Sequence, residues 1–269
     1  MRSVVLMSAT LLTIVLGFGT RTLRGQPDDV VFHDMTTIPK APYGPYLDAR
    51  AVLTETCSVV IATLPPRWRQ TVHHHTQEQV TIGREGPLAY AIDGILHELG
   101  PHGAGLPPPD VEHGMVNDSD GPAVVLEYQP VLRREWIPPH PQVAPQPQAP
   151  QAQRVMTSAP VAIDFDTASG GWVAASKGTR RKTLAGQTIR ATFWDFSRTG
   201  ASADIAINPT SRERLVFVLS GHPTAEFAQA RRIVGPETLI EVRPAARNIV
   251  LRSQQSESSM IVVFDTSGQ

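Results

Sequence analysis

A single cysteine, Cys57, occurs among 269 residues, so no internal disulfide can hold the chain and its cores must do so unaided. It stands in the apolar run Cys57-Ser58-Val59-Val60-Ile61, which predicts a small buried residue rather than a nucleophile. Excess charge is lacking too: 24 Lys and Arg stand against 25 Asp and Glu, a formal net charge of -1. That balance gives no electrostatic footprint for nucleic acid or an anionic membrane. Long apolar runs are almost absent. The one extended run, Val4 to Phe18, follows the basic start Met1-Arg2-Ser3 and is too short for a comfortable membrane span. With the small and polar residues after it, this segment reads as a secretory signal peptide over residues 1–25, cleaved between Gly19 and Gln26. The expectation is an exported protein, periplasmic or extracellular, with no stable membrane span after cleavage; the alternative is an uncleaved N-terminal anchor.

What is present favours strands. The 20 glycines and 24 prolines are spread between short apolar runs, a pattern of turns rather than long helices. Val80-Thr81-Ile82, Leu88 to Ile92 and Ala123 to Tyr128 are such runs in the first half. Thr188 to Phe193, Leu215 to Leu219 and Met260 to Phe264 match them in the second. Between the halves, residues 136–154 (WIPPHPQVAPQPQAPQAQR) cannot bury a core, and their prolines predict an extended, semi-rigid linker. The flanks predict two all-β units, at 32–135 and 155–267, each a sandwich or closed barrel. Shifting the first by 135 positions lays Glu78 on Glu213, Gly86 on Gly221 and Pro109 on Pro244, which suggests an internal repeat.

The first half carries the chemistry. In His73-His74-His75-Thr76-Gln77-Glu78-Gln79, alternation along a strand puts His73 and His75 on one face and His74 on the other. Two imidazoles with a third donor a few residues on, and a fourth from a later strand, would close a metal site. Imidazole suits Fe, Mn, Ni, Cu or Zn, so spacing alone does not name the ion.

These residues resemble the cupin family. Its first motif is matched in spacing by His73-x-His75, three residues, Gln79, six residues and Gly86. Its second is matched by Pro109-Asp110-Val111-Glu112-His113-Gly114-Met115-Val116-Asn117. The resemblance covers residues 50 to 134 and implies two double-stranded β-helix (jelly-roll) barrels. It implies one divalent ion held by His73, His75, Gln79 and His113. Two departures stand out: the glycine expected near Arg67-Trp68-Arg69-Gln70 is absent, and the usual ligand glutamate is Gln79, with Glu78 one place earlier. A His-x-His-x-x-x-Gln arrangement is similar to that of cupin enzymes acting on unsaturated uronates.

The remaining residues are read as follows. Glu78 is the general-base candidate, or else an exposed strand carboxylate. Asn117 stabilises a turn, although Asn117-Asp118-Ser119 also has the pattern of a glycosylation sequon. His97 and His102 are surface residues, and Tyr90 and Tyr128 pack a barrel. In the second half the 135 shift puts Asn208, Thr210, Arg214 and Asn248 where the ligands stand, which excludes a metal there. That barrel is a packing partner, or binds an anion through Arg214 with Arg243 or Arg247. The function expected is a metal-dependent enzyme on a small anionic, oxygen-bearing substrate, as a sugar-acid isomerase or lyase or as a dioxygenase resembling quercetinases. The alternatives are a non-catalytic metal- or carbohydrate-binding bicupin and a structural protein with an empty site. A monomer and a homodimer both remain open.

Overall fold

The computed structural model describes residues 29–130, 161–163, 171–175, 178–196, 204–244, 246–253 and 257–266. The expected signal peptide (1–25) and linker (136–154) lie outside the described residues. After β1 (Val30–Asp34) and a short 3-10 turn come β2 (Ala41–Tyr43), β3 (Tyr46–Leu53), β4 (Cys57–Leu64), β5 (Trp68–Arg69) and β6 (Val80–Glu85). The first half continues with β7 (Leu88–Ile92), β8 (Ile95–Leu99), β9 (Ala104–Leu106), β10 (His113–Asn117) and β11 (Ala123–Pro130). The second begins with β12 (Val161–Ile163), β13 (Val173–Ala174), β14 (Thr179–Ala185), β15 (Ile189–Phe196), β16 (Asp204–Ile207) and β17 (Arg214–Ser220). It ends with β18 (Thr224–Phe227), β19 (Ala230–Ile233), β20 (Thr238–Val242), β21 (Ile249–Arg252) and β22 (Ser259–Thr266). Among the described residues no helix is long and apolar enough to cross a membrane.

Each half has a seven-stranded and a four-stranded sheet. The first half has the orders β12-β9-β6-β11-β4-β3-β2 and β5-β10-β7-β8; the second has β1-β20-β17-β22-β15-β14-β13 and β16-β21-β18-β19. The central strands of the large sheets are buried on both faces, which is why they read as continuous apolar runs rather than alternations. Parity sorts their side chains. On β4, Val60, Ala62 and Leu64 enter the interior of the first barrel, while Cys57, Val59 and Ile61 enter a core shared by both halves. On β17, Val216 and Val218 fill the second barrel, and Leu215, Phe217 and Leu219 join the shared core.

The repeat is visible in the strands. A shift of 135 carries β6 through β10 onto β17 through β21 to within about two residues, the usual looseness of strand ends. Gly86 and Gly221 correspond, and both lie at positive φ, +72° and +74°. At Gly86 a Cβ would also come within 2.6 Å of the Pro122 carbonyl oxygen, so the motif glycine closes a turn that no larger residue fits. Corresponding residues meet across the shared core. On β11 and β22, where strand pairing sets the offset at 136, Tyr128 stacks on its counterpart Phe264 at 4.3 Å and 7°. At the offset of 135, Arg84 Nη1 donates to the carbonyl of its counterpart Leu219 at 2.6 Å. Contacts between a residue and its own counterpart are the mark of a twofold, here an internal pseudo-twofold.

The halves also exchange strands. β1 pairs with β20, and β12 pairs with β9, so each large sheet is completed by the segment that leads into the other half. Each expected unit, 32–135 and 155–267, is thus tied to the other by a strand on its N-terminal side. Nothing local marks such an exchange, because each partner lies far along the chain.

Candidate metal centre

The interior of the first barrel gathers the site from four places. His73 forms an isolated bridge with His113 at the start of β10: His73 N–H donates to the His113 carbonyl at 3.0 Å, and His113 N–H returns the bond at 2.8 Å. The residues before β6 bend at Thr76 and Gln77, yet the inward and outward sides expected of the histidines are kept. His73 and His75 turn inward, partly covered, and His74 is exposed. The potential ligand atoms of His73, His75 and His113 all lie within 4.8 Å of one another. Gln79 is buried, on the same face as Thr81.

Tautomers follow from the backbone. A carbonyl can only accept, so each histidine donates through Nδ1: His73 to Thr71 at 3.0 Å, His113 to Val111 at 2.7 Å and His75 to Gln77. That pattern fixes the rings and leaves Nε2 as the atom with a lone pair. Burial holds the His73 and His75 imidazoles below the usual range, which keeps them neutral. The Gln79 amide is fixed as well, since its Nε2 donates to Glu127 Oε1 at 2.6 Å and to Thr81 Oγ1 at 3.2 Å. Its carbonyl oxygen is thereby turned to His75 Nε2, 3.0 Å away, and His75 Nε2 lies 3.2 Å from His113 Nε2. Acceptors facing acceptors at these distances need a positive charge among them. The donor set fits a divalent transition-metal ion, with neutral N and O ligands and Nδ1 partners of the kind metal-bound histidines keep.

Glu78 does not join this group. It shares the outward face of its strand with Val80 and Ile82, and that face meets the second half rather than solvent. Its carboxylate accepts from Gln187 N and Thr188 N, each at 2.6 Å, from Thr188 Oγ1 at 2.8 Å and from Ile189 N at 3.0 Å. Gly186, at the same turn, comes so close to the carboxylate that a side chain there would collide with it. Neither the base expected of Glu78 nor an exposed carboxylate fits a residue 1% exposed and held in this way. Its counterpart Glu213 does the same in reverse, accepting from Thr54 Oγ1 and Thr56 Oγ1, each at 2.6 Å, in the first half. Two glutamates related by the repeat thus clasp the halves together.

Glu127 is the carboxylate that sequence reasoning passed over. It lies inside β11, with Oε1 accepting from Tyr46 Oη at 2.6 Å as well as from Gln79. Burial pushes its carboxyl up to about 7, against the pull of those two hydrogen bonds. The signal was a lone glutamate in the apolar run Val124-Val125-Leu126-Glu127-Tyr128. At the exposed rim, Asp110 takes positive φ (+60°), its N–H donates to the His75 carbonyl at 2.8 Å, and its charge favours protonated His75.

Other expected roles sort by packing. Asn117 is buried; its amide donates to the carbonyls of Leu64, Pro65 and Gly121, and its Oδ1 accepts from Ser119 N and Oγ. It is a turn staple, and a nitrogen so engaged is closed to glycosylation in the folded chain. Tyr90 is buried in the first barrel with its ring edge-on to His113 at 5.9 Å, and Tyr128 belongs to the shared core. His97 and His102 are half-buried, each beside an exposed residue, and stand outside the cluster. In the second barrel, Arg214 Nε donates to Asp265 and its Nη1 to the carbonyl of Asn208, the counterpart of His73. Arg243 donates to Glu241 at 2.7 Å. Both cations are matched by carboxylates, so the anion site expected there is replaced by internal ion pairs.

Residues 60–128 match the cupin domain family. No curated protein matches the chain. Solved structures share the fold at low identity. The protein Ylba of E. coli is 13% identical, with 93% of this chain and 98% of that one covered at a TM-score of 0.68. AerE of Microcystis aeruginosa is 11% identical, with 86% and 98% covered at 0.59. A salicylate 1,2-dioxygenase of Pseudoaminobacter salicylatoxidans, solved as adducts with gentisate, is 12% identical, with 89% and 85% covered at 0.61.

Proposed function

We propose that this chain, an all-β protein whose first barrel contains a cupin domain, is an exported metal-dependent enzyme acting on a small anionic, oxygen-bearing molecule. The observation that carries this reading is the convergence of imidazole nitrogens and one amide oxygen with every Nδ1 tied to backbone. His73, His75, Gln79 and His113 would hold the ion, which would supply Lewis acidity and, if redox-active, electron transfer. All four donors are neutral, so the double positive charge is not cancelled by its ligands and favours a carboxylate, enolate or phenolate. Tyr90 walls the interior behind His113 and helps to exclude water. Asp110, at the exposed rim beside His75, takes over from Glu78 as the carboxylate available to move a proton. Export rests on residues 1–25 alone. The shared core satisfies within one chain the need for a partner barrel, which supports a monomer.

The fold is shared with an enzyme named for salicylate and solved with gentisate, and this supports hydroxybenzoates as the first substrates to try. Unsaturated uronates come second. The test is oxygen uptake and product formation by the metal-loaded protein with each anion, beside the neutral amide of each. Turnover or tight binding of the anions alone supports the reading; equal binding of neutral and anionic partners contradicts it. A second reading, a non-catalytic metal- or carbohydrate-binding protein, is favoured by the engagement of Glu78 elsewhere. It predicts ligand-dependent stabilisation without turnover.

A further inference from the structure

A buried carboxylate is costly, and Glu127 is 7% exposed in the barrel that holds the histidines. Its surroundings explain its retention. Glu127 Oε1 takes the Gln79 amide and the Tyr46 hydroxyl together, each at 2.6 Å, and a carboxylate oxygen has the lone pairs for both. Because the amide nitrogen is committed to Glu127 and Thr81, the Gln79 carbonyl has one direction left, toward His75. We propose that Glu127 is the positioning residue of the metal centre. It aims the Gln79 carbonyl at the ion and sets a carboxylate one hydrogen bond behind a neutral donor set.

The second barrel supplies an internal control. Strand pairing aligns Glu127 with Val263, Gln79 with Arg214 and Tyr46 with Gly178. Where the ligands are gone, this whole chain of hydrogen bonds is gone with them. The arrangement also accounts for glutamine at a position where the resembling family carries glutamate. With Glu127 in place, a glutamate at 79 would set two carboxyl groups against each other, and one of them would have to hold a proton.

This inference rests on the reading of His73, His75, Gln79 and His113 as ligands, and the experiment separates the two. Cobalt(II) is titrated by calorimetry and absorption into tag-free, metal-free wild type, Glu127→Gln, Gln79→Glu and the exchange variant Gln79→Glu/Glu127→Gln, with Tm measured for each metal-free protein. Glu127→Gln is expected to bind about 10–100-fold more weakly, with shifted cobalt bands. Gln79→Glu is expected to bind less well than the exchange variant, which recovers affinity. A wild-type affinity and spectrum in Glu127→Gln, whatever its Tm, would overturn the positioning role. So would Gln79→Glu binding as tightly as the exchange variant. Wild type that binds no cobalt would instead overturn the ligand assignment itself.

Discussion

Glu78 and Gln79, just before β6, are neighbours with opposite tasks because their side chains leave the backbone on opposite sides. Gln79 faces the barrel with Thr81, while Glu78 faces the other half with Val80 and Ile82. Replacing Glu78 by Ala leaves three backbone N–H groups of the 187–189 turn without their acceptor and is expected to cost roughly 3 kcal/mol. Thermal unfolding measures that loss, and metal stoichiometry should be unchanged; a catalytic role would leave the unfolding midpoint unchanged and lower turnover instead. Cys57 behaves as its apolar run implied. It is 1% exposed beside Tyr128 and Thr56, and burial pushes its thiol up to about 11. An acid with a raised pKa stays protonated, so at pH 8 native Cys57 should resist iodoacetamide and react only after unfolding in guanidinium. Rapid labelling of the native protein would contradict this burial.

Short strands were legible because their residues are. Val80-Thr81-Ile82 lies in β6, Leu88 to Ile92 is β7, and the runs at 215–219 and 260–264 lie in β17 and β22. The same continuity that revealed these strands hid their polar members. Where both sides are buried, neither Glu78, just before β6, nor Glu127, within β11, is marked by alternation, and only the tertiary partner shows which side each serves. Loops were legible where a side chain closes them locally. Asn117 binds Ser119 and the Gly121 carbonyl within its own turn, and beyond it the Leu64 and Pro65 carbonyls at the end of β4, which no local pattern marks. Asn117→Ala should cost about 2–3 kcal/mol by leaving those groups unsatisfied, read as a fall in the denaturation midpoint. An unchanged midpoint would mean that water replaces the staple.

At the scale of the molecule, the halves are joined three ways: a shared apolar core, the exchanged strands β1 and β12, and the reciprocal clasps of Glu78 and Glu213. None of these has a local sequence signature, because each pairs residues more than fifty positions apart. The repeat itself was readable from equal spacing. Coupling of this kind predicts one cooperative transition in calorimetry for the metal-free protein, with calorimetric and van't Hoff enthalpies in agreement. Two separate transitions would show that the barrels unfold independently and that the shared core contributes little. The division of labour follows from the same frame. The second barrel has replaced its ligand positions by internal ion pairs, while the first keeps its histidines in register and their tautomers fixed.

The most direct measurement is metal content by elemental analysis of the tag-free protein beside the His73→Ala/His113→Ala variant, each after reconstitution with the divalent ion. The account predicts about one ion per chain in the wild type and none retained by the variant, from a site whose imidazoles already present their Nε2 atoms. Equal metal in both proteins, or none in the wild type, would contradict it.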